Sequence, residues 1–219
     1  MRKWLRYNGL SIAMFTLFAI SLVGQVWAGH RVHNQDQVEH QQPMLSLGQY
    51  LRSGHFVEAV FENWESEFLQ MAAFVLLTAY LYQKGSPESR KLEGEPDLDK
   101  HPRKSKNKES PWPVHRGGLI LTLYSHSLSL ALALLFAISF LLHAAGGVRE
   151  YNQEQLEHGS EPIGMLSYMG TSRFWFESFQ NWQSEFLSVG VLIVLSVFLR
   201  ERHSPESKPV ADPHGETGR

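Results

Sequence analysis

The sequence predicts an all-α integral membrane protein with four transmembrane helices, formed by a helical hairpin that occurs twice in tandem. Three observations lead to this fold class. Apolar runs alternate with strongly polar stretches, the two halves of the chain match at one constant offset, and basic residues concentrate in alternate connections. The chain has 219 residues, 43% of them hydrophobic, and a formal net charge of −2, an average that conceals this uneven distribution.

The four apolar runs cover residues 10–28, 68–82, 119–145 and 186–199. Each is bounded by polar segments, so we predict that each contains a membrane-spanning helix. The first run follows a basic N-terminus and therefore also resembles a signal peptide. Its counterpart at 119–145 lies in the middle of the chain, which favours a span over a cleaved signal.

The repeat is clearest at residues 63–69 (NWESEFL), which return 118 positions later as residues 181–187 (NWQSEFL). The same offset relates residues 34–40 to 152–158. One offset through two apolar runs and their connection predicts a tandem duplication. We therefore expect a first hairpin repeat over 1–90, a flexible basic linker over 91–117, a second hairpin repeat over 118–207, and a disordered tail over 208–219.

Topology follows from the distribution of Lys and Arg. Sixteen lie in the N-terminus, the stretch 83–117 between the halves and the residues from 200 onward, whereas the two polar segments before the second and fourth runs contain four. The positive-inside rule then places both termini and the linker in the cytoplasm. We expect a multi-pass protein of the cell (plasma or inner) membrane, with both polar connections outside.

The second and fourth runs contain 15 and 14 residues, about 21–23 Å of helix, which is short of a hydrocarbon core about 30 Å thick. Extending the two helices back to Asn63 and Asn181 restores the length, but it submerges Glu67 and Glu185. A charged side chain at full depth costs about 2.5–3.5 kcal/mol. We therefore expect both glutamates to face protein or water.

The polar residues near them are spaced at helical intervals, so they should form one cluster in the outer half of the bundle. The predicted cluster comprises Gln25, Asn63, Ser66, Glu67, Gln70, His143, Asn181, Ser184, Glu185 and Ser188.

Three interpretations of this cluster remain open. It could be purely structural, through helix capping and interhelical hydrogen bonds. It could conduct protons or ions through Glu67 and Glu185, whose carboxylates would influence one another. It could hold a metal or cofactor with Glu67, Glu185 and His143, although Gln25 at the position matched to His143 weakens a symmetric site.

No catalytic residue and no metal-ligand set is assigned from the sequence. The chain has no cysteine, which excludes disulfides and thiolate sites, and it contains no phosphate loop, zinc-protease helix or nucleophile elbow. The outer segments contain a loose group of histidines that could sense pH or bind metal weakly, although their spacing is not diagnostic: His30, His33, His40, His55 and His158.

The repeated Asn-Trp-x-Ser-Glu-Phe-Leu motif and the preceding Asn-Gln-x-Gln segments resemble those of a family of small bacterial integral membrane proteins of unknown function. The resemblance covers residues 1–89 and 119–207. It implies a multi-spanning protein of the bacterial cell envelope, and it implies no activity, ligand or catalytic residue.

Three functions compete. A structural or interaction component of the membrane is the first, because nothing catalytic is present. A small proton or ion channel or transporter that uses Glu67 and Glu185 is the second, and an intramembrane metal- or cofactor-dependent enzyme is a distant third. The expected partners are the lipid bilayer and either further copies of the chain or another membrane protein, without nucleic acid; the cofactor is unknown.

Overall fold

The computed structural model describes residues 2–89 and 110–216, and within these ranges the chain is helical and contains no β-strand. The helices in chain order are α1 (Arg2–Tyr7), α2 (Gly9–Glu39), α3 (Leu47–Tyr50), α4 (Gly54–Tyr80), α5 (Trp112–Arg116), α6 (Gly118–Ser125), α7 (Ser127–Glu157), α8 (Met165–Met169) and α9 (Ser172–Phe198). The all-α prediction is therefore confirmed for the described residues. Most basic residues of the predicted linker fall between 90 and 109, outside these ranges.

Among the described residues, three helices are long and apolar enough to cross a membrane: α2, α7 and α9. Helix α4 contains one of the four predicted spans but is not among them. Its physical difference from the others is its charge, because its first half contains four glutamates before the apolar run begins. By length and composition the described residues thus support three spans, and the fourth stays a prediction.

The apolar run at 119–145 differs from the single helix that its composition predicts, whereas the run at 10–28 lies within α2. The chain breaks at Asn8 between α1 and α2 and at His126 between α6 and α7, with nearly identical backbone angles (φ −113°, ψ 13° and 12°). The third run is therefore two helices, because it includes residues on both sides of His126. The side-chain amide of Asn8 donates a hydrogen bond to the carbonyl of Trp4 (2.9 Å).

Helix lengths also follow the repeat. Helices α2 and α7 each have 31 residues, α4 and α9 each have 27, and both pairs start 118 positions apart. Helix α2 continues past Ala28 into the segment that the sequence indicated as a polar connection, and it ends at Glu39. It is followed by a left-handed residue, Gln41 (φ 58°), at the position that glycine (Gly159, φ 70°) occupies in the second half.

A side-chain clamp fixes each connection to its helix. The Asn34 side-chain oxygen accepts a hydrogen bond from the backbone N–H of Leu45 (2.7 Å), and its amide donates to the Leu45 carbonyl (3.0 Å). Asn152 makes the same two bonds to Ile163 (2.8 and 2.9 Å). Because both main-chain groups of the loop residue are satisfied, each connection turns back onto the end of its helix.

The chain divides into two compact units. The first unit contains Met1–Phe61 and Leu141–Phe174, and the second contains Glu62–Phe140 and Trp175–Arg219. Both polar connections thus belong to the first unit.

Fully buried aromatic rings form the core of the first unit: Tyr50, Tyr168 and Phe174. The two tyrosine hydroxyls pack against helical glycines, Tyr50 against Gly29 and Tyr168 against Gly147, so closely that neither glycine has room for a β-carbon. These pairs are related by the repeat offset of 118.

Helices α4 and α7 approach backbone to backbone within the first unit. A β-carbon on Gly54 would lie 2.7 Å from the Glu150 nitrogen and 2.9 Å from the Gly146 carbonyl oxygen. A β-carbon on Gly146 would collide with the backbone nitrogen of Glu58. Small residues permit such close helix packing in membranes, where dispersion contacts replace the hydrophobic effect between helices.

In the second unit, apolar helix surface is mostly exposed, and the segments after α4 and α9 fold back in similar turns. The backbone N–H of Gln83 donates to the Ser89 hydroxyl (2.8 Å), and that of Glu201 donates to Ser207 (2.9 Å). Residues 208–216 of the predicted disordered tail carry further contacts, including hydrogen bonds from the Lys208 ammonium to the carbonyls of Pro213 and His214 (3.1 and 2.8 Å).

We expect Gly146→Ala to destabilise the protein by about 1–3 kcal/mol, because the added methyl group meets backbone that cannot rotate away. Reversible unfolding of the purified protein in mixed micelles measures the difference. Gly24→Ala is the matched control, since nothing lies within 4 Å of a β-carbon there and alanine is the better helix former. Equal stabilities of the two variants would contradict the close packing.

Candidate functional site

The two glutamates of the predicted cluster both belong to the second unit, where their carboxylates lie close enough to interact electrostatically. The Glu67 side chain is exposed, whereas Glu185 is half-buried. The pair therefore lies on accessible helix surface rather than in a sealed core.

The serines of the cluster are satisfied by their own helices. Ser66 donates to the carbonyl of Asn63 (2.7 Å), and Ser184 donates to that of Asn181 (2.8 Å). Ser188 likewise donates to the Glu185 carbonyl (2.8 Å). A hydroxyl that donates to a carbonyl of its own helix has a hydrogen-bond partner even in the hydrocarbon core, where there is no water. The spacing of the serines therefore does not by itself require a binding site.

The cluster residues on α4 and their counterparts on α9 differ in how far they are buried. Ser66 and Gln70 are buried on α4, whereas Ser184 and Ser188 are exposed on α9. The Asn181 amide donates one hydrogen bond to the Glu62 carboxylate and another to the Glu177 carbonyl (3.2 Å).

Glu65 is the acid that the sequence interpretation missed. It is fully buried in the second unit, and its carboxylate accepts a hydrogen bond from the indole N–H of Trp182 (3.0 Å). One signal was available, because position 65 is the single difference between the two motif copies, glutamate in the first and Gln183 in the second. A buried charge-assisted bond of this kind joins α4 to α9.

Five aromatic rings on α7 and α9 pack together in the second unit: Phe136, Phe140, Trp175, Phe179 and Trp182. Neighbouring centroids lie 5.4–6.3 Å apart, and several pairs are edge-to-face. Such rings suit the boundary between headgroups and hydrocarbon.

The second unit also contains a cavity of about 300 Å³ between α4 and α9. Apolar side chains line most of it, among them Phe74, Leu77, Phe186 and Ile193, and Gln70 contributes one polar wall. Gly190 borders the cavity and has open space where a β-carbon would stand.

His143 belongs to the first unit and is fully buried there. Its ring stacks on Phe174 at 4.9 Å, and one of its nitrogens lies within 4.8 Å of a Glu58 carboxylate oxygen. The Tyr168 hydroxyl donates to the same carboxylate (3.3 Å). Gln25, the residue matched to His143 by the repeat, is exposed, so the first half has no equivalent of this buried group.

Glu58 and Tyr168 were also missed by the sequence interpretation. For Tyr168 the sequence did contain a signal, because a tyrosine and a glycine recur together at the offset of 118: Tyr50 with Gly29, and Tyr168 with Gly147. Nearby imidazole and carboxylate groups can share a proton or contribute two ligands to a divalent ion.

A second group of titratable side chains lies in the first unit around Tyr50. The Tyr50 ring lies 5.5 Å from His30, 5.7 Å from His33 and 5.9 Å from His55, and its hydroxyl is 3.4 Å from His55 Nδ1. Burial, together with the neighbouring His33, lowers the pKa of His55, and Asp36 opposes this effect. Burial and the charge of Glu150 raise the pKa of Tyr50.

The remaining histidines of the outer segments face solvent. The exposed His40 has a raised pKa because its ring bonds to the Asp36 carbonyl (2.9 Å) and lies near the Asp36 carboxylate. His158 bonds to the Glu154 carbonyl in the same way (2.7 Å).

Comparison with known proteins yields one family. The model of a domain of unknown function (DUF6766) matches residues 1–219. No curated protein and no solved structure matches the chain.

We expect Trp182→Phe to lower the free energy of unfolding by about 1.5–3 kcal/mol, because the buried Glu65 carboxylate loses a hydrogen bond while the aromatic ring is kept. Chemical unfolding in mixed micelles measures the change. Trp27→Phe, at an exposed ring that packs beneath Arg31, should change stability by less than about 0.5 kcal/mol. A similarly small effect of both substitutions would show that the Trp182–Glu65 bond is not stabilising.

Proposed function

Because the chain belongs to the DUF6766 family, which carries no assigned activity, we propose that it serves as a structural or interaction component of a cell membrane. In this proposal it spans the bilayer four times as a duplicated hairpin, with both termini and the linker in the cytoplasm. The bilayer is one partner, and further copies of the chain or another membrane protein are the other.

The observation that carries the proposal is the exposure of helix α2. None of the residues in its most apolar 18-residue window is buried within the protein. Apolar surface of this extent is unfavourable in water and must be covered by lipid or by another apolar helix. A helix that presents its apolar surface all round suits a lipid-embedded scaffold.

The repeated local geometry supports the duplicated hairpin. Equal helix lengths, the paired asparagine clamps and the paired tyrosine–glycine contacts all recur at an offset of 118. Helix α4 then spans the membrane as α9 does, because α4 has the same length and the same position in its half. Its additional carboxylates are tolerated where protein partners shelter them, as Trp182 shelters Glu65.

The distribution of the two polar connections supports the proposed topology. Both belong to the first unit, and connections that pack in one compact unit are expected on one side of the bilayer. The polar segments that contain them have four Lys and Arg, whereas the N-terminus, the stretch 83–117 and the residues from 200 onward have sixteen. By the positive-inside rule the connections then lie outside and the basic segments lie in the cytoplasm.

The absence of cysteine permits a direct test by single-cysteine labelling. We expect Met44→Cys and Glu161→Cys, in the two connections, to react with a membrane-impermeant maleimide in intact cells. Gln83→Cys and Glu201→Cys, which are related by the repeat offset and exposed, should react only after permeabilisation. Labelling of all four sites from one side would overturn the four-span topology.

A second candidate function is proton or ion movement through Glu67 and Glu185. The electrostatic interaction of their carboxylates within the second unit favours it, since two nearby acids tend to hold a proton between them. The exposed position of Glu67 gives such a proton access to the surroundings.

In liposomes with a pH gradient, we expect the Glu67→Gln, Glu185→Gln double variant to abolish any protein-dependent proton flux while leaving folding intact. Glu201→Gln, beyond the end of α9, is the control and should leave the flux unchanged. A flux that persists in the double variant would exclude this mechanism.

A further inference from the structure

An amide without a hydrogen-bond partner among the described residues lines the cavity between α4 and α9. Gln70 borders this cavity and is 8% exposed, and within residues 2–89 and 110–216 its side chain forms no hydrogen bond. A buried amide without a partner is unfavourable, and hydrocarbon contains no water to supply one. The amide therefore needs a group that enters the cavity.

The cavity follows one face of each helix. On α4 the lining residues Gln70, Phe74 and Leu77 stand at i, i+4 and i+7, and on α9 Phe186 and Ile193 stand at i and i+7. The volume is about 300 Å³. A mostly apolar cavity of this size with a few polar groups is typical of small-molecule sites.

Gln70 lies near the middle of the proposed span. It follows Asn63 by seven residues and precedes Tyr80, the last residue of α4, by ten, which is about 10 and 15 Å of helix. The oxygens of phospholipids lie outside the hydrocarbon core and do not reach this depth. An acyl chain in the cavity would fill volume but present only methylene groups to the amide.

Water is a poor occupant of the cavity as well. A buried water needs two to four polar partners, and the nearest polar lining residue along α4, Thr78, already donates its proton to the carbonyls of Phe74 and Val75 (2.8 and 3.2 Å). Apolar cavities of about 150 Å³ stay dry and bind benzene. This cavity is about twice as large, so it has room for two fused rings.

The charge and shape of the lining favour a flat, uncharged molecule. Among the described residues that line the cavity, Glu88 is the only charged one, and it lies in the turn after α4. Its carboxylate disfavours an anion, and any ion at the depth of Gln70 would be costly. The rings of Phe74 and Phe186 offer aromatic surface for a flat ligand.

The two residues that define the cavity differ from their counterparts at the repeat offset. Gln70 is matched by Ser188, which is exposed and donates to the carbonyl of its own helix at Glu185 (2.8 Å). Gly190 is matched by the buried Ala72. Nothing lies within 4 Å of a β-carbon built on Gly190, so this glycine leaves space in the cavity and permits no close helix contact.

We propose that the cavity binds one uncharged, lipid-soluble ring compound about twice the size of benzene, whose carbonyl oxygen accepts a hydrogen bond from the Gln70 amide. A quinone head group has this chemistry, because it is flat and neutral and carries carbonyl oxygens that need no water. The proposal rests on the four-span topology proposed above, which places Gln70 in hydrocarbon. It makes the chain a ligand-binding component of the membrane.

The test is calorimetric titration of the full-length protein in nanodiscs with menadione, a naphthoquinone without a tail, after subtraction of the same titration of empty nanodiscs. Methylnaphthalene, which has the same two rings and no oxygen, is the second probe. We expect saturable binding of menadione, about 3- to 10-fold tighter than that of methylnaphthalene, because only menadione gives the amide a partner.

Gln70→Leu removes the amide and keeps an apolar side chain of similar size. It should fold at least as well, since an unpartnered amide is lost. We expect it to weaken menadione binding by about 3- to 10-fold and to leave methylnaphthalene binding undiminished, so that the difference between the probes disappears. Ser188→Ala, at the matched position of α9, is the control and should retain the difference.

Gly190→Leu tests the volume of the cavity. The new side chain enters open space and leucine is the better helix former, so the variant should fold, but it should lose at least about 10-fold in affinity for both probes because it occupies their place. Gly24→Leu is the control, since Gly24 on α2 is exposed and has equally open surroundings.

Equal binding of the two probes would overturn the proposal, as would menadione binding that Gln70→Leu and Gly190→Leu leave unchanged. Heat that empty nanodiscs reproduce would also overturn it, because the cavity would then hold bilayer lipid only. Cysteine labelling separates this failure from failure of the topology. If the four sites label as expected and menadione does not bind, the four-span membrane role stands without the ligand.

Discussion

The absence of water from hydrocarbon is the constraint on which the rest of the structure depends. A polar group on a spanning helix must find its partner within the protein, since an unsatisfied group costs several kcal/mol there. Hydroxyls of the long helices meet this demand by bonding to carbonyls of their own helix, as Thr16 does to Ile12 (2.7 Å) and Thr78 to Phe74 (2.8 Å). Larger polar groups cannot do so, and they require another helix.

The buried carboxylates show how that second requirement is met. Glu65 on α4 bonds to Trp182 on α9, and Glu58 bonds to Tyr168. In each case an aromatic residue provides both a polar hydrogen and a large apolar surface, so one side chain satisfies the acid and shields it. Close approach of the helices at Gly54 and Gly146 brings the backbone near enough for such bonds in the first unit.

The two halves share a backbone plan and differ in the chemistry placed on it. Residues that shape the chain recur, including the clamping asparagines 34 and 152 and the buried tyrosines 50 and 168. Residues that bear charge diverge, as with His55 opposite Arg173 and Glu65 opposite Gln183. The proposed duplication accounts for this pattern, because backbone packing restricts the first group much more strongly than the second.

The sequence by itself determined the helical class, the spacing of the apolar runs and the constant offset, because hydrophobic length and repetition are local properties of the chain. It also located the glutamates Glu67 and Glu185 at equivalent helix positions. Only the tertiary structure decided which polar residues are buried. Helical spacing shows that Glu65 and Glu67 point to different sides of α4, but which side is covered depends on the helix packed against it. For the same reason the pairing of His33 with His55 was beyond the sequence, since it arises where the end of one helix meets the start of another through the buried ring of Tyr50.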